Sequence, residues 1–228
     1  MAIDDNQISR EAVLARVRRA LGRHGPDDDA RAAAHAYLAA RQQGPRPALP
    51  ADLVQRFLDR AADMSSTTAR VATVDAVPAA IQRYLDAPGV HASAAVPDTR
   101  TVCWPEFASL DWRRAGITVE ARPTLGDDGL GITGCFCAIA ETGTLVFTSG
   151  SETPTATFLL PETHVAIVRA DQVVAGMEDA FARLRAERAW MPRALNLVSG
   201  PSRTGDIEQT IVLGAHGPRR LHIVLVER

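Results

Sequence analysis

Apolar residues recur at helical spacing through the first part of the chain and then give way to short runs of β-formers. Val13, Leu14, Val17 and Leu21 fall at i, i+1, i+4 and i+8, one face of a helix, and Gly22 is a stop signal. Asp27 to Asp29 put negative charge at the start of a second helix that is alanine-rich to about Gln43. Gly44-Pro45-Arg46-Pro47 breaks it. Leu53, Val54, Phe57, Leu58 and Ala61 form a third amphipathic face. Residues 1–65 carry no chemical motif. They read as a helical N-terminal arm that either docks a partner or caps the domain that follows.

From about residue 70 the period changes. Arg70 to Val74, His91 to Val96, Thr101 to Trp104 and Ile117 to Ala121 read as strands, and Val77 to Leu85 as a helix. Cys135 to Ala140 and Thr144 to Thr148 flank a turn. His164 to Arg169, Leu195 to Ser199 and His222 to Val226 are further strands, and Met177 to Ala189 a helix. The last strand is apolar without alternation, the mark of a strand buried on both faces. Residues 66–228 therefore predict one α/β domain, with a mostly parallel sheet flanked by helices.

Composition changes this picture little. Hydrophobic residues make up 46% of the 228 and charged residues 23%, which is ordinary for a globular chain. The formal net charge of −2 gives no basic face for nucleic acid. No apolar stretch reaches the length of a membrane span, and the acidic start Met1-Ala2-Ile3-Asp4-Asp5 is unlike a signal peptide, so the expected compartment is the cytoplasm. Three cysteines, Cys103, Cys135 and Cys137, fit free buried thiols better than disulfides. Every basic side chain of this class is arginine. The absence of lysine excludes a Schiff-base lysine and a Walker-type phosphate loop.

Three loops concentrate the residues that could do chemistry. The first follows the glycine-rich run Gly129 to Gly134 and the apolar strand Cys135 to Ala140. It is Glu141-Thr142-Gly143-Thr144, in which Gly143 suits a turn of positive φ. Glu141 is either a carboxylate held over a sheet end or a solvated residue of a plain hairpin. The second, Ser149 to Thr155, either cradles an anion or caps the helix that follows. The third is Ser199 to Glu208. There Arg203 can pair with a carboxylate or form a local ion pair, and Asp206 and Glu208 are acid–base groups, metal ligands or caps. Loops that follow parallel strands gather at one end of the sheet. That predicts one crevice from Glu141, Thr142, Gly143, Ser202, Arg203 and Asp206, with Glu141 as base and the others binding substrate. No histidine pair has helical zinc spacing, so no metal is expected, with His164 and His216 left open as ligands. Cys135 and Cys137 are too few for an iron–sulfur cluster.

Three ordered blocks, spanning roughly the last 100 residues, resemble a known family. They are Gly131 to Val146 (GITGCFCAIAETGTLV), Leu160 to Val165 (LPETHV), and Ser199 to Glu208 (SGPSRTGDIE) with Gly214 to His222 (GAHGPRRLH). Together they resemble the LUD-domain family of lactate utilization proteins, and the length and helical start resemble its protein C type. Gly205 departs from the pattern, where a small alanine is expected. The resemblance implies a fold similar to the CoA-transferase and ribose-phosphate-isomerase group. It also implies partnership with iron–sulfur subunits that oxidise L-lactate to pyruvate. This chain would be the accessory subunit without a cluster, the cofactors residing in its partners. Two other functions fit the residues: a stand-alone enzyme on a carboxylate or CoA-thioester-like substrate using Glu141, and a small-anion sensor.

Overall fold

The computed structural model describes residues 5–22, 27–88, 90, 100–204 and 212–228. They divide into two compact units, Met1–Pro47 and Ala48–Arg228.

The first unit holds two helices, α1 (Asp5–Ala20) and α2 (Asp28–Ala40). Asp27 caps α2, its carboxylate accepting from the Ala30 N–H at 2.8 Å. Neither helix buries an apolar face: Val13, Val17, Leu21, Tyr37 and Leu38 are all exposed.

The second unit is built on two sheets. The central one has six strands in the order β1-β12-β7-β4-β2-β3, all parallel. They are β1 (Thr67–Val71), β2 (Thr101–Cys103), β3 (Val119–Ala121), β4 (Leu130–Thr133), β7 (Thr163–Arg169) and β12 (Arg220–Val226). Strands β7 and β12 lie in the middle and are almost wholly buried, which is why their sequences are unbroken apolar runs. The expected parallel α/β sheet is therefore present. The His91–Val96 strand expectation falls outside the described residues.

Strand β4 lies inside the glycine-rich run. Gly131 stands in its middle, where a Cβ would meet the Thr157 carbonyl oxygen at 2.0 Å. Only glycine lets α5 (Ala156–Leu159) approach that strand so closely. Periodicity could not identify this strand because its side chains are missing where the helix backbone presses in.

The second sheet has the order β8-β5-β6-β9: β8 (Val173–Val174), β5 (Cys137–Ile139), β6 (Thr144–Thr148) and β9 (Leu195–Val198). β5 and β6 form an antiparallel hairpin, and β9 pairs antiparallel with β6. β10 (Arg203–Thr204) and β11 (Val212–Leu213) form a separate antiparallel pair.

Helix α3 (Leu53–Asp63), capped by Asp52, buries Phe57, Leu58 and Ala61 in the main core. The compact unit thus begins at Ala48, where the sequence pattern placed the boundary after residue 65. Helix α4 (Val77–Leu85) matches its predicted bounds and buries Ile81 and Tyr84. Helix α6 (Met177–Glu187) closes a smaller core with Phe136, Cys137, Ile139 and Val146.

Candidate functional site

The last turn of α3 organises the two predicted loops. Gly143 has φ +69°, and a Cβ there would lie 2.5 Å from the backbone of Arg60 and Ala61. Gly200 has φ +78°, and its Cβ would lie 2.1 Å from the Met64 carbonyl oxygen. Both turns need glycine twice over, for the left-handed backbone and for the contact. The residues they touch are about one helical turn apart on α3. A chain of hydroxyls joins the loops directly: Thr142 Oγ1 to Thr144 Oγ1 at 2.7 Å, then Thr144 Oγ1 to Ser199 Oγ at 2.7 Å.

Arg203 also reaches this turn. Its Nη2 donates to the Met64 carbonyl at 2.8 Å and to Ser65 Oγ at 2.5 Å. A guanidinium at the end of α3 offsets the negative end of the helix dipole. Ser202 lies one strand-step away. Its N–H donates to the Pro218 carbonyl at 2.8 Å, and its carbonyl accepts from the Gly214 N–H at 3.0 Å. The Glu141 N–H donates to the Ala175 carbonyl at 3.0 Å. No side-chain partner engages the Glu141 carboxylate among the described residues. Asp206 lies outside them, as does Glu208.

Gly143 and Arg203 therefore both touch the end of α3, with Thr142 joined to the Ser199 loop through Thr144, whereas Ser202 lies against Gly214, Gly217 and Pro218. Glu141 sits in the β5–β6 hairpin turn, where the Gly143 N–H donates to the Ile139 carbonyl at 2.9 Å. The loops meet because β6 and β9 are antiparallel, which brings the start of one beside the end of the other. The region adjoins the beginning of β1, the amino-terminal side of the central sheet, rather than the carboxyl ends of its strands.

Beside it, along the same edge, lies an open cleft of about 470 Å³ lined by Gly126, Asp127, Glu162, Gly214, Gly217 and Arg219 among others. Its carboxylates are internally matched: Asp127 with Arg100, and Glu162 Oε1 with Arg220 Nη1 at 3.0 Å. Asp128 behind it accepts two bonds from Arg122, at 2.7 and 3.0 Å, and one from Thr124 at 2.7 Å. Arg122 is the main reason its carboxyl is held down at about 2.

The carboxyl ends of β2, β4 and β7 carry a further group, the Glu106 carboxyl, which no sequence motif singles out. A Cβ at Gly134 would stand 2.6 Å from Glu106 Oε1, so the carboxyl rests on that peptide. Burial pushes the Glu106 pKa upward, and Arg169 pulls it back. Thr133 Oγ1 donates to the Gly134 carbonyl at 2.9 Å and meets His164 Nε2 at 2.8 Å. Gln172 Nε2 donates to the Cys135 carbonyl at 3.0 Å. The loop Ser149 to Thr155 joins this end through Trp104 Nε1, which donates to the Pro154 carbonyl at 3.3 Å. Thr153 donates to the Thr148 carbonyl at 2.8 Å rather than capping a helix. Glu106 escaped sequence reasoning because it lies in a short 3₁₀ turn, Pro105–Phe107, with no glycine or repeat to mark it.

His164 is fully enclosed by Phe147 and Phe158, and burial lowers its pKa to about 3. His222 stacks on Tyr84 with ring centroids 3.9 Å apart, bonds Thr67 Oγ1 at 2.8 Å, and is lowered by burial to about 4. His216 is exposed. All three cysteines are free and buried. Burial raises Cys103 and Cys137 to about 11 and Cys135 further. Among the described residues no cluster of three or more His, Cys, Asp or Glu side chains has the arrangement to hold a metal ion. No helix among them is long and apolar enough to cross a membrane.

A six-stranded parallel sheet with a hairpin-bearing second sheet defines an α/β protein whose special residues lie on loops at both sheet ends. The LUD domain profile matches residues 54–226, and the chain belongs to that family. It is 32% identical over 193 residues to a lactate utilization protein C of Deinococcus radiodurans, covering 80% of this chain and 83% of that one. It is 36% identical over 127 residues to lactate utilization protein C of Bacillus subtilis, covering 54% and 53%. A crystal structure of a DUF162 family protein from Deinococcus radiodurans superposes with a TM-score of 0.55 at 26% identity, over 79% of this chain and 99% of that one.

Proposed function

We propose that this chain acts in lactate utilization, as an accessory subunit without a cluster beside iron–sulfur subunits that oxidise L-lactate to pyruvate. The observation that carries the reading is the alignment with a lactate utilization protein C over 83% of that protein's length. The chain has three cysteines, fewer than the four thiolates that usually hold a cluster, which supports the division of labour. On the same reading the protein works in the cytoplasm and binds a small carboxylate at the end of α3. Arg203 is exposed and engages the helix through Nη2 alone among the described residues, which leaves its outer donors for a carboxylate. Thr142 and Ser202 supply hydroxyls nearby, Glu141 is the proton-transferring group, and Asp206 belongs to the same loop as Arg203.

The test is deletion and complementation. A strain lacking the gene loses growth on L-lactate, wild-type protein restores it, and the protein co-purifies anaerobically with iron–sulfur subunits. Restoration by Arg203→Ala and Glu141→Gln proteins alike would remove the proposed carboxylate site. Normal growth of the deletion strain on L-lactate would remove the function itself.

A further inference from the structure

Strand order in the central sheet reverses between β2 and β4. β2 is followed in the chain by its neighbour β3 on one side. β4, its neighbour on the other side, is followed by β7 and then β12 in the opposite direction. Connections that part in this way leave a crevice outside the carboxyl ends of the two strands, where open α/β sheets bind ligands. Here that point lies just past Cys103 of β2 and Thr133 of β4.

Three segments meet there. After β2 comes Glu106, which is exposed, and its Oε1 occupies the space that a Cβ at Gly134 would need, 2.6 Å away. After β4 come Gly134 and Cys135, both buried, which form the floor. β7 runs three residues beyond the Thr133–Ala166 pairing and ends at Arg169, followed by the 3₁₀ turn Ala170–Gln172. Gln172 ties this turn to the floor: its Oε1 accepts from the Arg169 N–H at 2.9 Å, and its Nε2 donates to the Cys135 carbonyl at 3.0 Å. Arg183 Nη1 braces the turn from outside by donating to the Asp171 carbonyl at 3.2 Å.

A carboxyl and a guanidinium thus stand over one glycine floor. The Arg169 charge is felt at Glu106, where it opposes the upward push of burial on the carboxyl pKa. Glu106 enters no ion pair among the described residues. Arg169 Nε lies 3.4 Å from Asp171 Oδ1, but the two side chains are 64% and 70% exposed, and so open an ion pair gives way readily to a ligand.

We infer that the crevice between β2 and β4 binds a small α-hydroxy acid, its carboxylate on the Arg169 guanidinium and its hydroxyl donating to the Glu106 carboxylate. A molecule carrying only one of the two groups leaves the other side chain unmatched. This crevice is separate from the carboxylate site proposed at the end of α3 and does not rest on it.

The probe is L-lactate, titrated into the full chain and followed by amide chemical shifts. Propionate, which lacks the hydroxyl, and propylene glycol, which lacks the carboxylate, are the controls. Saturable shifts at Gly134, Cys135, Arg169 and Gln172 are expected with L-lactate, and both controls should bind at least about tenfold more weakly. Arg169→Gln should weaken L-lactate by a similar factor. Glu106→Ala should weaken L-lactate and leave propionate unchanged, so that the variant no longer distinguishes the two; a merely structural residue would weaken both alike. Gly134→Ala should do the same, because its methyl group displaces the end of the flexible Glu106 side chain at a position with no positive φ. The comparison of the three ligands on the wild-type chain holds even if a variant fails to fold. The inference is overturned if L-lactate gives no saturable shift, if propionate binds as tightly, or if Glu106→Ala keeps the discrimination. It is also overturned if the shifts fall at Ser65, Gly143 and Arg203 instead, since the ligand then sits at the end of α3.

Discussion

The Thr144 and Ser199 hydroxyls lie 2.7 Å apart across 55 residues of chain. This contact ties the hairpin turn after β5 to the loop after β9, and both loops then rest on the last turn of α3.

Gly200 is the tightest of those rests. Gly200→Ala forces a Cβ to within 2.1 Å of the Met64 carbonyl at a backbone φ of +78°. It should destabilise the fold by more than about 1 kcal/mol, read as a lower urea midpoint with an unchanged slope. An unchanged midpoint would mean that the loop does not sit on α3.

Arg203 is exposed, so its helix-end contacts contribute little to folding. Arg203→Ala should cost about 0.3–1 kcal/mol of stability and yet abolish complementation on L-lactate. A large loss of stability would make the residue structural and leave the carboxylate site without its cation.

Helix α3 belongs to the core. Phe57 is fully buried, and Phe57→Ala should cost about 3–5 kcal/mol. A chain of residues 48–228 should unfold cooperatively, whereas one of residues 66–228 should be insoluble or molten. Circular dichroism in the near and far ultraviolet separates these outcomes. A well-folded 66–228 chain would restore the boundary that the sequence pattern suggested.

The two buried histidines make stability depend on pH. Burial lowers both pKa values, His164 to about 3 and His222 to about 4, from an unfolded value near 6.5. Between those limits the unfolded chain binds more protons than the folded one, so stability rises with pH. Their contribution is complete above about pH 6.5 and is lost as the pH falls through the window toward about 4. Urea midpoints at pH 7 and pH 5 should differ in that direction, and His222→Phe, which keeps a ring against Tyr84, should shrink the difference.

Thiol titration tests the cysteine environment. The folded protein should react slowly at Cys103, Cys135 and Cys137, and all three should react at once in denaturant. Rapid labelling of the native chain at one equivalent would show an accessible thiolate.

Much of this architecture was written in local pattern. The bounds of α4, the strands β6, β7 and β12, and the amphipathic face of α3 follow from periodicity and unbroken apolar runs, because burial on one or two faces dictates residue type directly. Gly143 was legible as a positive-φ turn for the same local reason. The loops around Glu141 and Arg203 were legible as loops, and the family blocks were legible as a pattern.

Tertiary structure alone decided what those pieces do to one another. Gly131 reads as a breaker in isolation, yet it is the centre of β4 because the Thr157 carbonyl occupies the space of a side chain. Nothing local distinguishes a hairpin of a second sheet from a strand of the first, so the meeting of the two loops on α3 depended on the β6–β9 pairing. Glu106 likewise carries no local signal, and its carboxyl matters only because β2 and β4 are neighbours and Gly134 leaves it room. Sequence determines which residues are apolar, flexible or charged along a few turns of chain. Which distant groups share a surface is set by strand order and close packing, and those are properties of the whole fold.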